Sequence, residues 1–173
     1  MRTTLYDGIP THVLFAHFVV VLTPLTALAL VVCALWPSVI RRFGLALPAL
    51  ALVALVIVPF TTSSGQWLEG QVRENSYLTT HAEAGDDLLP WAVALFVLAV
   101  ALWWVYRRGT ATAAPGVATV RERAGEGVRM PLRVAAVLVC LVMAAGALVE
   151  IYDIGHSGAK ATWHKLESPG RFR

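Results

Sequence analysis

The chain has 173 residues, room for one domain, with 57% apolar and 14% charged residues and a net charge of +3. So few charges could not cover the surface of a soluble domain, and the mean hydropathy of +0.66 points to lipid as the solvent. The basic residues lie in short loops without aromatic interleaving, which argues against nucleic-acid binding.

The apolar residues fall in four blocks, and each reads as a membrane-spanning helix. The first runs roughly from His12 to Trp36 and stops at Pro37-Ser38. It is too long for the apolar region of a signal peptide and is followed by no small-residue cleavage site, so it is expected to remain in the mature protein. The second runs from about Leu45 to Thr62, with Pro48 and Pro59 near its ends. The third covers about Asp87 to Tyr106, with Pro90 near its start, and the fourth about Leu132 to Ile154. Each approaches the ~20 residues that carry an α-helix across ~30 Å of hydrocarbon. Between the third and fourth, residues 109–127 are rich in Ala, Gly and Thr and read as a flexible cytoplasmic linker. The expected architecture is an all-α four-helix membrane bundle.

Loop charge orients it. Arg41 and Arg42 follow the first span, and Arg107, Arg108, Arg121, Arg123, Arg129 and Arg133 lie between the third and fourth. The connection between the second and third is acidic instead: Glu69, Glu74, Glu83, Asp86 and Asp87 against Arg73 alone. Positive loops stay in the cytoplasm, so both termini and the acidic loop are expected outside it. Trp36, Trp67, Trp91, Trp103, Trp104 and Tyr106 near span ends fit an aromatic belt.

The chemistry is carried by histidine. All five, His12, His17, His81, His156 and His164, fall toward the same side of the membrane on this topology. Polar groups at membrane depth are costly without partners, and imidazole is the commonest side-chain metal ligand. Convergence of the five on one pocket is therefore expected, with His17, the deepest, ranked first, His81 second and His12 least. Cys33 and Cys140 sit inside apolar runs and read as buried thiols, and the absence of CxxCH excludes covalent haem attachment. With thiolates out of reach, a pair of histidines on facing helices suits a b-type haem. Phe15, Phe18, Val21, Leu88 and Trp91 would flank the macrocycle, Gly155 and Gly158 would let it approach the backbone, and Arg73, Lys160 or Lys165 would meet its propionates. His17, His81, His156 and His164 could instead ligate copper or zinc, with His12, Glu69 and Asp153 nearby. Elsewhere, Gly146 among alanines reads as a point of close helix packing.

The ordered motifs resemble the bacterial four-helix membrane domain DUF2231, a family of unknown function. Gly8-Ile9-Pro10-Thr11-His12 with Phe15-Ala16-His17-Phe18 is similar to its opening G-x-P-x-H-P…V-H-F-P. Ser64-Gly65-Gln66-Trp67-Leu68-Glu69-Gly70-Gln71-Val72 and His81-Ala82-Glu83-Ala84-Gly85 resemble its T-G-x-x-A-G-x-x-V and H-x-x-x-G elements. Gly155-His156-Ser157-Gly158-Ala159 with Trp163-His164 resembles its ending. Val13 and Val19 replace two expected prolines, and Lys165 replaces a glycine. The resemblance implies a bacterial inner, or plasma, membrane and, through family members fused to Rieske-type domains, an electron-transfer setting.

The sequence thus reads first as a membrane-bound b-type cytochrome, with a Rieske-type or cytochrome protein as redox partner. The alternatives are a non-haem copper or zinc protein and a structural subunit without cofactor. No nucleophile–base pair is visible, so an electron carrier is favoured over a catalyst.

Overall fold

The computed structural model describes residues 5–6, 9–71, 76–111 and 121–163. A two-residue antiparallel ladder, β1 (Leu5–Tyr6) with β2 (Ile9–Pro10), leads into α1 (Thr11–Leu35). A short helix α2 (Pro37–Phe43) joins α1 to α3 (Ala46–Glu69), and α4 (Ser76–Ala111) and α5 (Arg121–Trp163) complete the bundle. Four helices, α1, α3, α4 and α5, are long and apolar enough to cross a membrane.

Several boundaries differ from the sequence expectation. Apolar stretches mark only the part of a helix that lipid would cover, so α4 and α5 extend past them at both ends. His81 and His156 consequently lie within α4 and α5, not beside them. The expected flexible linker contracts as well. Residues 109–111 belong to α4 and 121–127 to α5, and 112–120 lie outside the described residues. The α2 turn was not anticipated. Pro37 sets its first position, while Trp36 before it is held extended at φ −117°, ψ 99°, as the residue preceding proline prefers. Gly44 closes it at φ 52°, its N–H returning to the Ile40 carbonyl.

α1 and α4 stand across the bundle diagonal, each packed against both α3 and α5. Small side chains make these contacts: Ala27, Ala34, Ala51, Ala54, Ala92, Ala99, Ala144 and Ala147 are all buried. That is how helices approach where lipid gives no hydrophobic drive between them. Gly146 on α5 takes the Trp91 ring from α4 so closely that a Cβ there would overlap it. Outside, the bundle is apolar too, with Val21, Leu28, Val97 and Val142 largely exposed. At most 39% of the apolar window of any of these helices is buried in the bundle, so the rest requires a bilayer.

Hydroxyls within the helices return to their own turns. Thr26 donates to the Leu22 carbonyl at 2.7 Å, Thr61 to Ile57 at 2.9 Å and Ser63 to Pro59 at 2.6 Å. At the arginine-bearing end, Arg133 of α5 donates to the Leu35 carbonyl at 2.9 Å, satisfying an orphan acceptor at the end of α1. Arg107 and Arg108 lie over the rings of Trp103 and Trp104 at 5.1 and 4.4 Å.

Candidate functional site

Because successive long helices run in opposite directions, the start of α1, the end of α3, the start of α4 and the end of α5 share one end of the bundle. Two histidines meet there between the helices. His12 comes from the first turn of α1 and His81 from the second turn of α4. Their ring centroids are 6.2 Å apart and their planes nearly perpendicular, at 82°.

Each ring is held by the neighbouring helix. His12 Nδ1 donates to the Thr61 carbonyl of α3 at 3.0 Å, and His81 Nδ1 donates to the Ile154 carbonyl of α5 at 3.1 Å. A carbonyl can only accept, so the proton of each neutral imidazole sits on Nδ1 and Nε2 keeps its lone pair. That is the tautomer in which a histidine is oriented by its second nitrogen and ligates through the other.

Serine and glycine complete both cradles. Ser64 donates to the Thr61 carbonyl at 2.9 Å, and Ser157 to the Ile154 carbonyl at 3.1 Å, with His81 Nδ1 a further 3.3 Å contact of the Ser157 hydroxyl. Both serines thus bond to the same oxygen that receives the imidazole proton. One residue on, a Cβ at Gly65 would come within 3.0 Å of the His12 ring, and a Cβ at Gly158 within 3.0 Å of the His81 ring. A Cβ at either glycine would force its imidazole to give by a few tenths of an ångström.

Neither His17 nor His156 joins this pair. His17, ranked first from sequence, is exposed, and its Nδ1 bonds at 2.6 Å to the Val13 carbonyl of its own helix. Depth was a poor guide because a helix turn can satisfy a histidine without any outside partner. His156 is exposed and stacks on Tyr152 at 5.8 Å, one turn earlier on the same face of α5. His164, Arg73 and Lys165 lie outside the described residues. Of the four histidines described, two meet, and His12, expected to matter less than His17 or His81, is one of them. Among the expected flanking residues, Leu88 is buried below the pair, whereas Phe18 and Val21 are exposed and Trp91 is committed to Gly146. Of the two glycines expected to admit a macrocycle, Gly158 meets the His81 ring, and nothing lies within 4 Å of a Cβ at Gly155.

Beside His81 a cleft of about 620 Å³ opens between α4 and α5, lined by Glu83, Asp87, Glu150, Asp153, His156 and Lys160, with Ser157 at its base. Glu150 there is hydrogen-bonded by the Trp91 side chain. These groups are spread along two helices, and no three His, Cys, Asp or Glu side chains come together as a metal-holding group among the described residues. Cys33 and Cys140 are buried free thiols far along α1 and α5 from the pair. Comparison with protein-family models, with curated proteins and with solved structures gives no match.

Proposed function

We propose that His12 and His81 would hold the iron of a b-type haem and that the chain is a membrane electron carrier. The observation that carries this reading is the pair of pinned imidazoles 6.2 Å apart, each turned with Nδ1 to a carbonyl of a neighbouring helix. One metal bound to a nitrogen of each ring at ~2.0–2.1 Å needs ring centroids roughly 6 Å apart, so the spacing already suits a shared ion. The donor count favours haem over zinc. A structural zinc site takes four protein ligands and a catalytic one three, whereas haem iron draws four nitrogens from the porphyrin and needs two from protein. Two are gathered here among the described residues.

When bound, the iron would cycle between ferric and ferrous states and so carry one electron. The protein's own part is to hold the rings. The Thr61 and Ile154 carbonyls fix each tautomer and raise the basicity of the free nitrogen, while Gly65 and Gly158 leave the imidazoles room to sit against the backbone. The apolar bundle beneath, with Val19, Val58, Leu88 and Ile151 buried, would keep water from the inner side. Loop charge supports an extracytoplasmic position for this end in a bacterial plasma membrane, and the likeness to DUF2231, with its Rieske-linked members, supports a redox setting. A two-coordinate copper centre is the second reading, favoured by the same spacing and the same two donors.

The test is the reduced-minus-oxidised spectrum of the purified protein. A Soret band that shifts on dithionite reduction is expected in the wild type and in His17→Ala, and its loss in His12→Ala and His81→Ala. A colourless wild type, or loss in His17→Ala alone, would overturn the assignment. Copper retained with no Soret band would select the second reading.

A further inference from the structure

The two cradles are alike atom for atom, and the likeness extends down the bundle. Thr11-His12 on α1 is answered by Thr80-His81 on α4, and Ser64-Gly65 on α3 by Ser157-Gly158 on α5. In that register each buried position described in α4 falls on a buried position of α1, Leu88 on Val19, Ala92 on Thr23, Leu95 on Thr26 and Ala99 on Leu30, whereas Ala27, Cys33 and Ala34 fall at half-buried Phe96, Leu102 and Trp103. Four buried positions of α3 likewise fall on buried positions of α5, Leu47 on Cys140, Ala51 on Ala144, Ala54 on Ala147 and Val58 on Ile151, while Pro48 falls at exposed Leu141 and Thr61 at half-buried Ile154. The packing obeys the same exchange, since α1 and α4 each touch α3 and α5 and face each other across the diagonal.

We infer that the chain is two copies of one histidine-presenting helical hairpin, α1 with α3 and α4 with α5, and that Ser64-Gly65 and Ser157-Gly158 are equivalent positioning residues for the two imidazoles. The copies are related by a pseudo-two-fold axis running along the bundle, the arrangement of parallel internal repeats in membrane proteins. The serine hydroxyl polarises the carbonyl that receives the imidazole proton, and the glycine sets how near the ring lies to that carbonyl. A ligand gripped between the rings meets two matched donors, one from each copy. The exteriors have meanwhile diverged. Phe18, Ile57, Phe60 and Trp67 of the first copy stand where the second has Asp87, Glu150, Asp153 and Lys160. The dipeptides that hold the pair, Thr-His and Ser-Gly, are thus kept in both copies while much of the outer surface around them differs.

The inference concerns the residues of the proposed ligand pair and rests on that reading for its function, but its first test needs no bound group. In full-length protein labelled with ¹⁵N-histidine and held in nanodiscs, His12 and His81 should both give the signature of the Nδ1–H tautomer. Gly65→Ala should move the His12 resonances and leave His81, and Gly158→Ala should do the reverse. Ser64→Ala and Ser157→Ala, milder changes that leave the packing intact, should shift the same rings by similar amounts, with Ser→Thr at each position restoring them. Titrated with haem, the two glycine variants should lose affinity to within about threefold of one another, in the 10–100-fold range typical of altered orienting groups. A different tautomer at one histidine, or an effect confined to one copy, would overturn the equivalence. Matched NMR behaviour in a protein that takes up no haem would leave the duplication standing and sink the proposed function instead.

Discussion

Gly146→Ala adds a single methyl group, and the structure places it inside the volume of a tryptophan. The ideal Cβ position overlaps two atoms of the Trp91 six-membered ring and nearly meets a third at 2.9 Å. Trp91 cannot simply swing away, because its ring packs on the buried cluster that includes Ala144, Ala147 and Leu95, and its side chain bonds Glu150. Either α4 and α5 separate locally or the indole leaves its rotamer, and overpacking of that kind costs about 1–3 kcal/mol. For a chain of this size that corresponds to a fall in melting temperature of roughly 2–12 °C. The assay is thermal unfolding in a mild detergent, with tryptophan fluorescence as a local probe. Trp91→Leu removes the obstructing ring, so the double variant should lose less than the two single variants added together, because residues in contact couple. An unchanged melting temperature in Gly146→Ala, or strict additivity with Trp91→Leu, would refute the packing argument for the α4–α5 seam.

Thr23 is buried and its hydroxyl has no hydrogen-bond partner among the described residues, a debt that Thr23→Val removes at almost constant shape. The expected gain is about 1 kcal/mol, read as a higher melting temperature; destabilisation would mean the hydroxyl has a partner in the membrane. Alanine at the matching position, Ala92, indicates that packing at this level does not require a polar group. A phosphatase reporter fused after Arg173, or within residues 70–80, should be active and one within 110–125 inactive. The opposite pattern in either place would end the termini-out reading of the arginine loops.

The four spans were legible because lipid imposes a crude code: long apolar blocks, arginines at one end, aromatic residues at the rims. The α2 turn was harder to see, since Pro37, which stops α1, also starts the next helix. The site was half legible. Histidine as the working residue type follows from the cost of polar groups at membrane depth. Which histidine works does not, because that depends on whether a ring turns to its own helix, as His17 does to Val13, or across to a neighbour, as His12 does to Thr61. Five residues, about 140° of helical phase, separate His17, turned to its own helix, from His12, turned to a neighbour, and periodicity does not resolve that in an apolar helix whose every face is hydrophobic. The repeat was hidden for a related reason. Its matched positions are mostly Ala, Val and Leu, which any membrane helix contains, and its two diagnostic pairs, Thr-His and Ser-Gly, are too short to stand out. Burial supplies the missing register. Once Val19 and Leu88, or Ala51 and Ala144, are known to face inward, the two dipeptides fall at the same level of two like hairpins. The symmetry then accounts for what the sequence ranking inverted. His12 outranks His17 because the position of His17 falls in the second copy at Asp86, an exposed carboxylate, whereas the position of His12 falls at His81.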